Sequence, residues 1–106
     1  MVYKLYIPAS TERQIDKAIE YVAKTLKNSE AASEILDDID QTYGFLETDA
    51  EDLAYCTDEY LHALGYRMIA LRRHNYLFIY RVEDSTVHIV GFFHMLENYI
   101  EKLSDI

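Results

Sequence analysis

The chain contains one cysteine, one proline, three glycines and no tryptophan among its 106 residues. The single cysteine, Cys56, excludes an internal disulfide, so an intracellular, cytoplasmic location is expected. We interpret Cys56 as a small apolar core residue, because "LAYCTDE" matches no catalytic signature. The scarcity of glycine and proline leaves little of the chain for linkers, and the length predicts a single domain over residues 1–106.

Long apolar runs are also missing from the sequence. There is no stretch of eighteen apolar residues, and the N-terminus has no basic segment followed by an apolar one. We therefore expect neither a membrane span nor a secretory signal, and no contact with a membrane. Half of the residues are hydrophobic, which is enough for one core at this length.

Positive charge is scarce: ten Lys and Arg stand against nineteen acids, for a formal net charge of −9. This balance argues against non-specific nucleic-acid binding. The charge is unevenly placed, because residues 30–59 hold eleven acids and no Lys or Arg, whereas residues 60–82 hold no acid and four arginines, Arg67, Arg72, Arg73 and Arg81. Two interpretations stay open. Arg67 and Arg81 pair with the acidic middle of the same chain, or the acid-free stretch is a docking face for an acidic partner or a polyanion.

The N-terminal half predicts a strand and two helices. "VYKLYIP" alternates as a strand with Tyr3, Leu5 and Ile7 on one face. Thr11 with Gln14 three residues later fits a capping box for the first helix, and Gly44 fits the residue just after the second. "KNSE" separates the two helices and can cap the second. Their apolar stripes are Ile15, Ala18, Ile19, Val22 and Leu26, then Ala32, Ile35, Leu36, Ile39 and Tyr43.

The C-terminal half predicts a meander of strands. Residues 45–64 show no clean period and are interpreted as an irregular acidic connection that can include one helical turn. "YRMIALRR", "YLFIYRVE" and "TVHIVGFF" predict three antiparallel strands, the middle one covered on both faces. "HMLENYIEKLSDI" predicts a short helix with one apolar side, formed by Met95, Leu96, Tyr99, Ile100 and Leu103. The predicted fold is α+β, an antiparallel sheet packed by an N-terminal helical hairpin, in the order β-α-α-β-β-β-α.

This order resembles the RelE/ParE superfamily, the toxins of type II toxin–antitoxin modules, which are also called plasmid-stabilisation proteins. "EAASEILDDI" is similar to the second helix of that family, and "LGYRMIALRRHNYLFIYRVEDSTVHIVGFFHMLENY" resembles its strand block. The resemblance covers essentially the whole chain. It implies a growth-inhibiting toxin that a cognate antitoxin holds inactive, in a hetero-oligomer with that antitoxin.

The resemblance leaves two targets to choose between. RelE-like members are ribosome-dependent mRNA endoribonucleases, whereas ParE-like members poison DNA gyrase and do not cleave RNA. The positions that match the cationic residues of the RelE catalytic set are apolar here: Met68, Ala70, Leu77, Phe92 and Phe93. Of that set, only the tyrosine near the C-terminus has an equivalent in this chain, Tyr99. Toxins of the ribosomal A site are also normally basic, unlike this chain. The resemblance therefore favours ParE-like, non-nucleolytic action on gyrase.

A ribonuclease remains the alternative. Other members of the superfamily work with Arg, His and Glu, which Arg67, Arg72, His74, His94 and Glu97 supply here. In that case the catalytic residues are expected to be Arg67, Arg72, His94 and Tyr99, with His94 as general acid or base and no metal. His94 has a structural or helix-capping interpretation as well. A third interpretation is an inactive homologue that only binds its antitoxin. No cofactor and no metal are predicted, because His88, His94 and Glu97 lack zinc-site spacing.

Partner binding is assigned to basic and tyrosine side chains of the strand block. Tyr is enriched at protein interfaces, and exposed arginines attract acidic segments. The predicted partner-binding residues are Arg72, Arg73, Tyr76, Tyr80 and Arg81, with Tyr3, Tyr6 and Tyr66 as further tyrosines on strands. The alternatives are solvated arginines at a hairpin turn and tyrosines at the edge of the core.

Overall fold

The computed structural model describes residues 2–104, apart from the side chains of Ile100 and Ser104. It is an α+β fold, as predicted. In chain order its elements are β1 (Lys4–Tyr6), α1 (Ala9–Glu20) with a π-helical turn (Tyr21–Thr25), α2 (Ser29–Asp49) with a 3-10 turn (Ala50–Asp52), α3 (Glu59–Ala63), β2 (Arg67–Ala70), β3 (Tyr76–Glu83), β4 (Thr86–His94) and α4 (Tyr99–Ser104). None of the helices in residues 2–104 is long and apolar enough to cross a membrane.

The sheet has the strand order β1-β4-β3-β2. β2, β3 and β4 form the predicted antiparallel meander. β1 joins the other side of β4 in parallel, with Leu5 opposite Val87, so the sheet is mixed. Two parallel strands need a long crossover connection. Here the connection from β1 to β4 consists of all the elements between them, so the order of elements along the sequence did not indicate this pairing.

Side chains of β3 alternate between two apolar clusters, as expected for a central strand. Phe78 and Tyr80 are fully buried on the face that α1 and α2 cover, together with Ile35 and Leu46 of α2. Leu77 and Ile79 point to the opposite face, into a second cluster that α3, α4 and the segment before α3 complete; its other buried members are Cys56, Leu61, Phe93 and Leu103. Cys56 is 2% exposed, which confirms its interpretation as a core residue.

The start of α1 differs from the prediction. Thr11 lies inside the first turn, fully buried, and the residue that precedes the helix is Pro8, without a side-chain cap. Gln14 instead accepts a hydrogen bond at Oε1 from the Phe92 backbone N–H of β4 at 3.0 Å. The predicted Thr11–Gln14 capping box is therefore wrong, because Gln14 joins α1 to a strand 78 residues away.

The helix ends show one correct and two wrong predictions. Asn28 caps α2 by accepting the Ala31 N–H at 3.0 Å, as the "KNSE" break predicted. Gly44 does not end α2; the helix runs five residues further because Leu46, fully buried, packs into the core. Residues 45–49 are thus helical, unlike the prediction, whereas α3 supplies the one helical turn that the predicted irregular connection could include. Met95 and Leu96 lie in an exposed turn before α4, so the predicted start of that helix is also wrong.

Of the predicted apolar side of α4, Leu103 is buried and Tyr99 half-buried. The side chain of Ile100 and residues 105–106 of the predicted helix lie outside the described part of the chain.

Candidate functional site

The sheet face opposite the helical hairpin carries most of the positions that match the RelE catalytic set. Leu77 and Phe93 are 2% and 3% exposed there. Met68 packs beside them from β2, and the ring of Tyr99 lies 5.9 Å from that of Phe93. These side chains contact one another and the apolar residues of α3 and α4. Among the other matched positions, Phe92 belongs to the core under α1 and α2, and Ala70 is exposed.

The structure does not bring the four candidate catalytic residues together. Arg67 lies opposite Tyr80 in the middle of β3, whereas His94 lies opposite Tyr76, the first residue of that strand. Four residues along a strand correspond to about 13 Å. Arg72 is exposed in the β2–β3 turn, and Tyr99 packs on the sheet face opposite α1.

Arg67 holds the connection between α2 and α3. Its guanidinium donates to the carbonyl oxygens of Glu51, at 3.3 Å, and Leu53. It also lies over the ring of Tyr55, 3.9 Å from the centroid. Arg67 thus contacts the acidic segment, as one interpretation expected, but through backbone carbonyls and an aromatic face.

Arg73 is the arginine that neutralises a buried carboxylate of the acidic segment. Asp38 of α2, with no exposed side-chain surface, accepts the Arg73 backbone N–H at 2.9 Å and its Nε–H at 2.8 Å. Burial alone would raise the pKa of Asp38, but these hydrogen bonds and the charge of Arg73 hold it below its ordinary value. Glu34 adds an ion pair to Arg73 at 3.8 Å and a contact to His74 Nε2 at 3.0 Å.

The remaining arginines have different surroundings. Arg81 pairs with Glu83 of its own strand, and this hydrogen bond and charge lower the pKa of Glu83. The expectation that Arg81 pairs with residues 30–59 is therefore wrong, because its partner lies two residues along β3. Arg72 is exposed, and in the part of the chain that the structure describes it forms no ion pair.

The tyrosines of the predicted partner surface divide between core and surface. Tyr80 is fully buried, donates its hydroxyl to the Ala50 carbonyl at 2.7 Å, and has its pKa raised to about 12 by burial. Tyr3 is buried and donates to Glu51. Tyr76 is half-buried, and Tyr6 is 56% exposed. Among the five predicted partner-binding residues, Arg72, Tyr76 and Arg81 therefore keep accessible surface without a buried partner.

Tyr76 and His94 meet in a cleft of about 460 Å³ between α1, the ends of β3 and β4, and α4. The sequence pointed to these two residues and to Glu97, but not to the contributions of α1 and α4. No local sequence pattern indicated that α1 contributes to the cleft, because α1 and the strand ends are more than fifty residues apart. The cleft is lined by Gln14, Lys17, Ala18, Tyr21, Tyr76, Phe92, His94, Glu97 and Lys102.

The aromatic side of the cleft is fixed by ring contacts and by a turn. Tyr76 stacks on Phe92, with centroids 5.1 Å apart and planes 4° apart, and the edge of His94 meets Tyr76 at 5.0 Å. The Leu96 N–H donates to His94 Nδ1 at 3.1 Å, so the neutral ring carries its proton on Nε2. Burial and the charge of Glu97 raise the pKa of Tyr76.

Glu97 closes the turn at the end of the cleft. It accepts the His94 backbone N–H at 3.0 Å and pairs with Lys102 of α4. Burial opposes its ionisation, but these two hydrogen bonds hold its pKa below the ordinary value. Within residues 2–104 no group of three or more His, Cys, Asp or Glu is placed to hold a metal ion.

Comparison with known proteins identifies the class of protein. Residues 6–99 match the family model described as the ParE toxin of the type II toxin–antitoxin system, parDE. The chain belongs to this family. It is therefore the toxin component of such a module, with a cognate antitoxin as its partner.

A solved structure has the same fold. It is the chromosomal ParDE TA system from P. aeruginosa, which superposes with a TM-score of 0.71 and 19% sequence identity. The match covers 88% of this chain and 96% of that one. A search of curated proteins finds no match.

Proposed function

We propose that this toxin acts in the cytoplasm in the ParE-like way, on DNA gyrase and without cleaving RNA. The observation that carries the proposal is the apolar sheet face opposite the helical hairpin. RNA cleavage on that face needs cationic groups that activate the 2′-hydroxyl and stabilise the pentacovalent phosphate. Leu77 and Phe93 are instead buried against Leu61 and Leu103. A phosphate placed there would lose its hydration without gaining a charged partner.

The geometry of His94 supports the same conclusion. A general base needs an unprotonated ring nitrogen facing the substrate. The Leu96 N–H occupies the lone pair of Nδ1, so the neutral ring presents a proton at Nε2. For Nε2 to act as a base, the proton of the neutral ring would have to sit on Nδ1. That tautomer places the Nδ1–H against the Leu96 N–H, so two donors would face each other. His94 is thus built as a hydrogen-bond acceptor for its own turn.

Charge is the third support. Arg67, Arg73 and Arg81 all have partners inside the chain, so the acid-free stretch offers little free positive charge. A chain of net charge −9 is repelled by ribosomal RNA at long range, whereas binding to a protein target does not require a positively charged toxin.

Induction of the chain in bacteria tests the proposal. We expect growth arrest, filamentation and a DNA-damage response with intact mRNA, and rescue by co-expression of the small reading frame that neighbours its gene. His94→Ala, expressed alone to the same level, is expected to arrest growth as strongly as the wild type. The readouts are cell length, a DNA-damage reporter and the integrity of total mRNA.

Rapid loss of intact mRNA with the wild type, and not with His94→Ala, would show that the chain is a ribonuclease instead. Normal growth at good soluble expression would show an inactive homologue that only binds its antitoxin. Either outcome overturns the gyrase proposal.

A further inference from the structure

We propose that the cleft between α1 and the ends of β3 and β4 is where the antitoxin anchors an acidic segment, through a carboxylate next to an aromatic or large apolar side chain. The inference rests on the antitoxin partner that the family implies and is independent of the toxin's target. Of the predicted partner-binding residues, Tyr76 lines this cleft, and the four others lie outside its lining.

The charges in the cleft favour a carboxylate. Lys17 of α1 lines it and, among the described residues, has neither an ion pair nor a side-chain hydrogen bond. Lys102 lines it too and pairs with Glu97, so two ammonium groups face one carboxylate. Most of the surface repels acids, since the chain carries nine net negative charges. Three of the four arginines of the strand block, Arg67, Arg73 and Arg81, are held by internal partners, whereas Arg72 is exposed in the β2–β3 turn. A partner's carboxylate therefore gains a favourable contact at Lys17.

The walls of the cleft favour an apolar side chain beside that carboxylate. Tyr76 presents an aromatic surface that Phe92 supports by stacking. Across from it, Tyr21 stands on the π-helical turn and is 53% exposed. Such π-helical turns occur often at functional sites, and exposed tyrosines are typical of interface anchors. The aromatic walls and Lys17 together accept an aromatic or large apolar residue adjoining an Asp or Glu.

The shape of the cleft favours a segment of a macromolecule over a small molecule. Pockets for small ligands bury most of the ligand surface. Here the rim is open: Lys17 and Tyr21 are exposed, and the turn that follows His94 exposes two further apolar side chains, Met95 at 41% and Leu96 at 90%. A chain that inserts one side chain and runs on across this turn would cover both.

The test measures the affinity of purified chain for its antitoxin, the product of the adjacent reading frame, by titration calorimetry. Lys17→Glu and Tyr21→Ala are each expected to weaken binding at least tenfold, and the Lys17 effect is expected to shrink at high salt. The matched controls are Lys24→Glu, which is on the same helical segment but pairs with Glu20, and Tyr60→Ala, which is 46% exposed on α3. Both controls are expected to bind within twofold of the wild type.

Because all four substituted side chains are exposed, the melting temperature of the free chain should be unchanged, which excludes misfolding as the cause. Tyr21→Trp is expected to keep its affinity and to report binding by fluorescence, since the chain has no other tryptophan. Binding within twofold of the wild type for both Lys17→Glu and Tyr21→Ala would overturn the inference. So would loss of toxicity in the absence of antitoxin with antitoxin affinity unchanged, because the cleft would then serve the target. Neither result depends on whether the target is gyrase.

Discussion

Replacement of Asp38 by alanine is expected to lower the free energy of unfolding by about 2–3 kcal/mol, because it removes a buried, charge-assisted acceptor and leaves its donors without a partner. Asp38 has no exposed side-chain surface and accepts two hydrogen bonds from Arg73, one of them from the backbone. The side chain of Arg73 is 42% exposed, so water replaces part of the hydrogen bonding that it loses, whereas the backbone N–H is the less easily compensated donor.

Thermal or urea unfolding measures this loss, which corresponds to roughly 10 °C or more in the melting temperature of a domain of this size. Asp37→Ala is the matched control, since Asp37 is the adjacent acid on the same helix and is exposed. It should change the free energy of unfolding by less than about 0.5 kcal/mol. Equal effects of the two substitutions would contradict the structural role of Asp38.

The pH dependence of the same pair of proteins provides a second check. The folded pKa of Asp38 lies below its unfolded value, so its ionised form stabilises the fold at pH values above about 4. That contribution is lost as the pH falls through the folded pKa. Wild type and Asp38→Ala should therefore differ most at neutral pH and converge in acid. A difference that stays constant from pH 7 to pH 3 would exclude the carboxylate charge as its cause.

Replacement of Gly91 by alanine is expected to destabilise the fold by about 2 kcal/mol, because the added methyl group has no space. A Cβ at Gly91 would lie 2.4 Å from Cε2 and 2.6 Å from Cζ of the Phe93 ring. Phe93 is 3% exposed and packed in the cluster around Leu77, so its ring cannot move without disturbing that cluster. Gly91 also adjoins the irregularity in the β3–β4 register.

Gly44→Ala is the control, and its expected effect has the opposite sign. Gly44 lies within α2 with nothing within 4 Å of the added Cβ, so alanine should stabilise the helix by about 0.5–1 kcal/mol. The measurement is the free energy of unfolding of both variants. Phe93→Leu combined with Gly91→Ala should recover part of the loss. A Gly91→Ala variant as stable as the wild type would show that the ring has room to move.

Much of the fold followed from hydrophobic periodicity in the sequence. Helical spacing identified α1 and α2, and the β-branched and aromatic runs identified the meander. Local sequence signals for the ends of helices were less reliable. Gly44 resembled a helix stop, but burial of Leu46 outweighs the cost of one glycine inside a helix. Gln14 resembled part of a cap, but its side chain is used by Phe92.

The sequence predicted some of the residues that line the cleft, but not which elements come together to form it. Tyr76 and His94 were singled out from the strand block, and both line the cleft. Lys17 and Tyr21 were not, since nothing in the spacing of α1 shows which side of the sheet its end will approach. The role of Arg73 was equally hidden, because Asp38 lies 35 residues earlier and looks like any exposed helix acid.

The charge division of the chain now has a structural explanation. Residues 30–59 contain a buried acid that requires a cation, and the acid-free strand block supplies it with Arg73. Arg67 fixes the connection that follows α2 through carbonyl oxygens. Two of the four arginines of the acid-free stretch, Arg67 and Arg73, thus contact the acidic segment, whereas Arg81 pairs with Glu83 and Arg72 is exposed. Lys17 and its cleft are the exposed cationic site that we assign to the partner.

Supercoiling of relaxed plasmid by purified DNA gyrase tests the proposed action on gyrase most directly. The chain, released from its antitoxin and refolded, is added with ATP, and a parallel reaction offers it mRNA on translating ribosomes. We expect inhibited supercoiling or accumulated cleaved DNA, reversal by added antitoxin, and uncut mRNA. Unaffected supercoiling at excess toxin together with cleaved mRNA would contradict it.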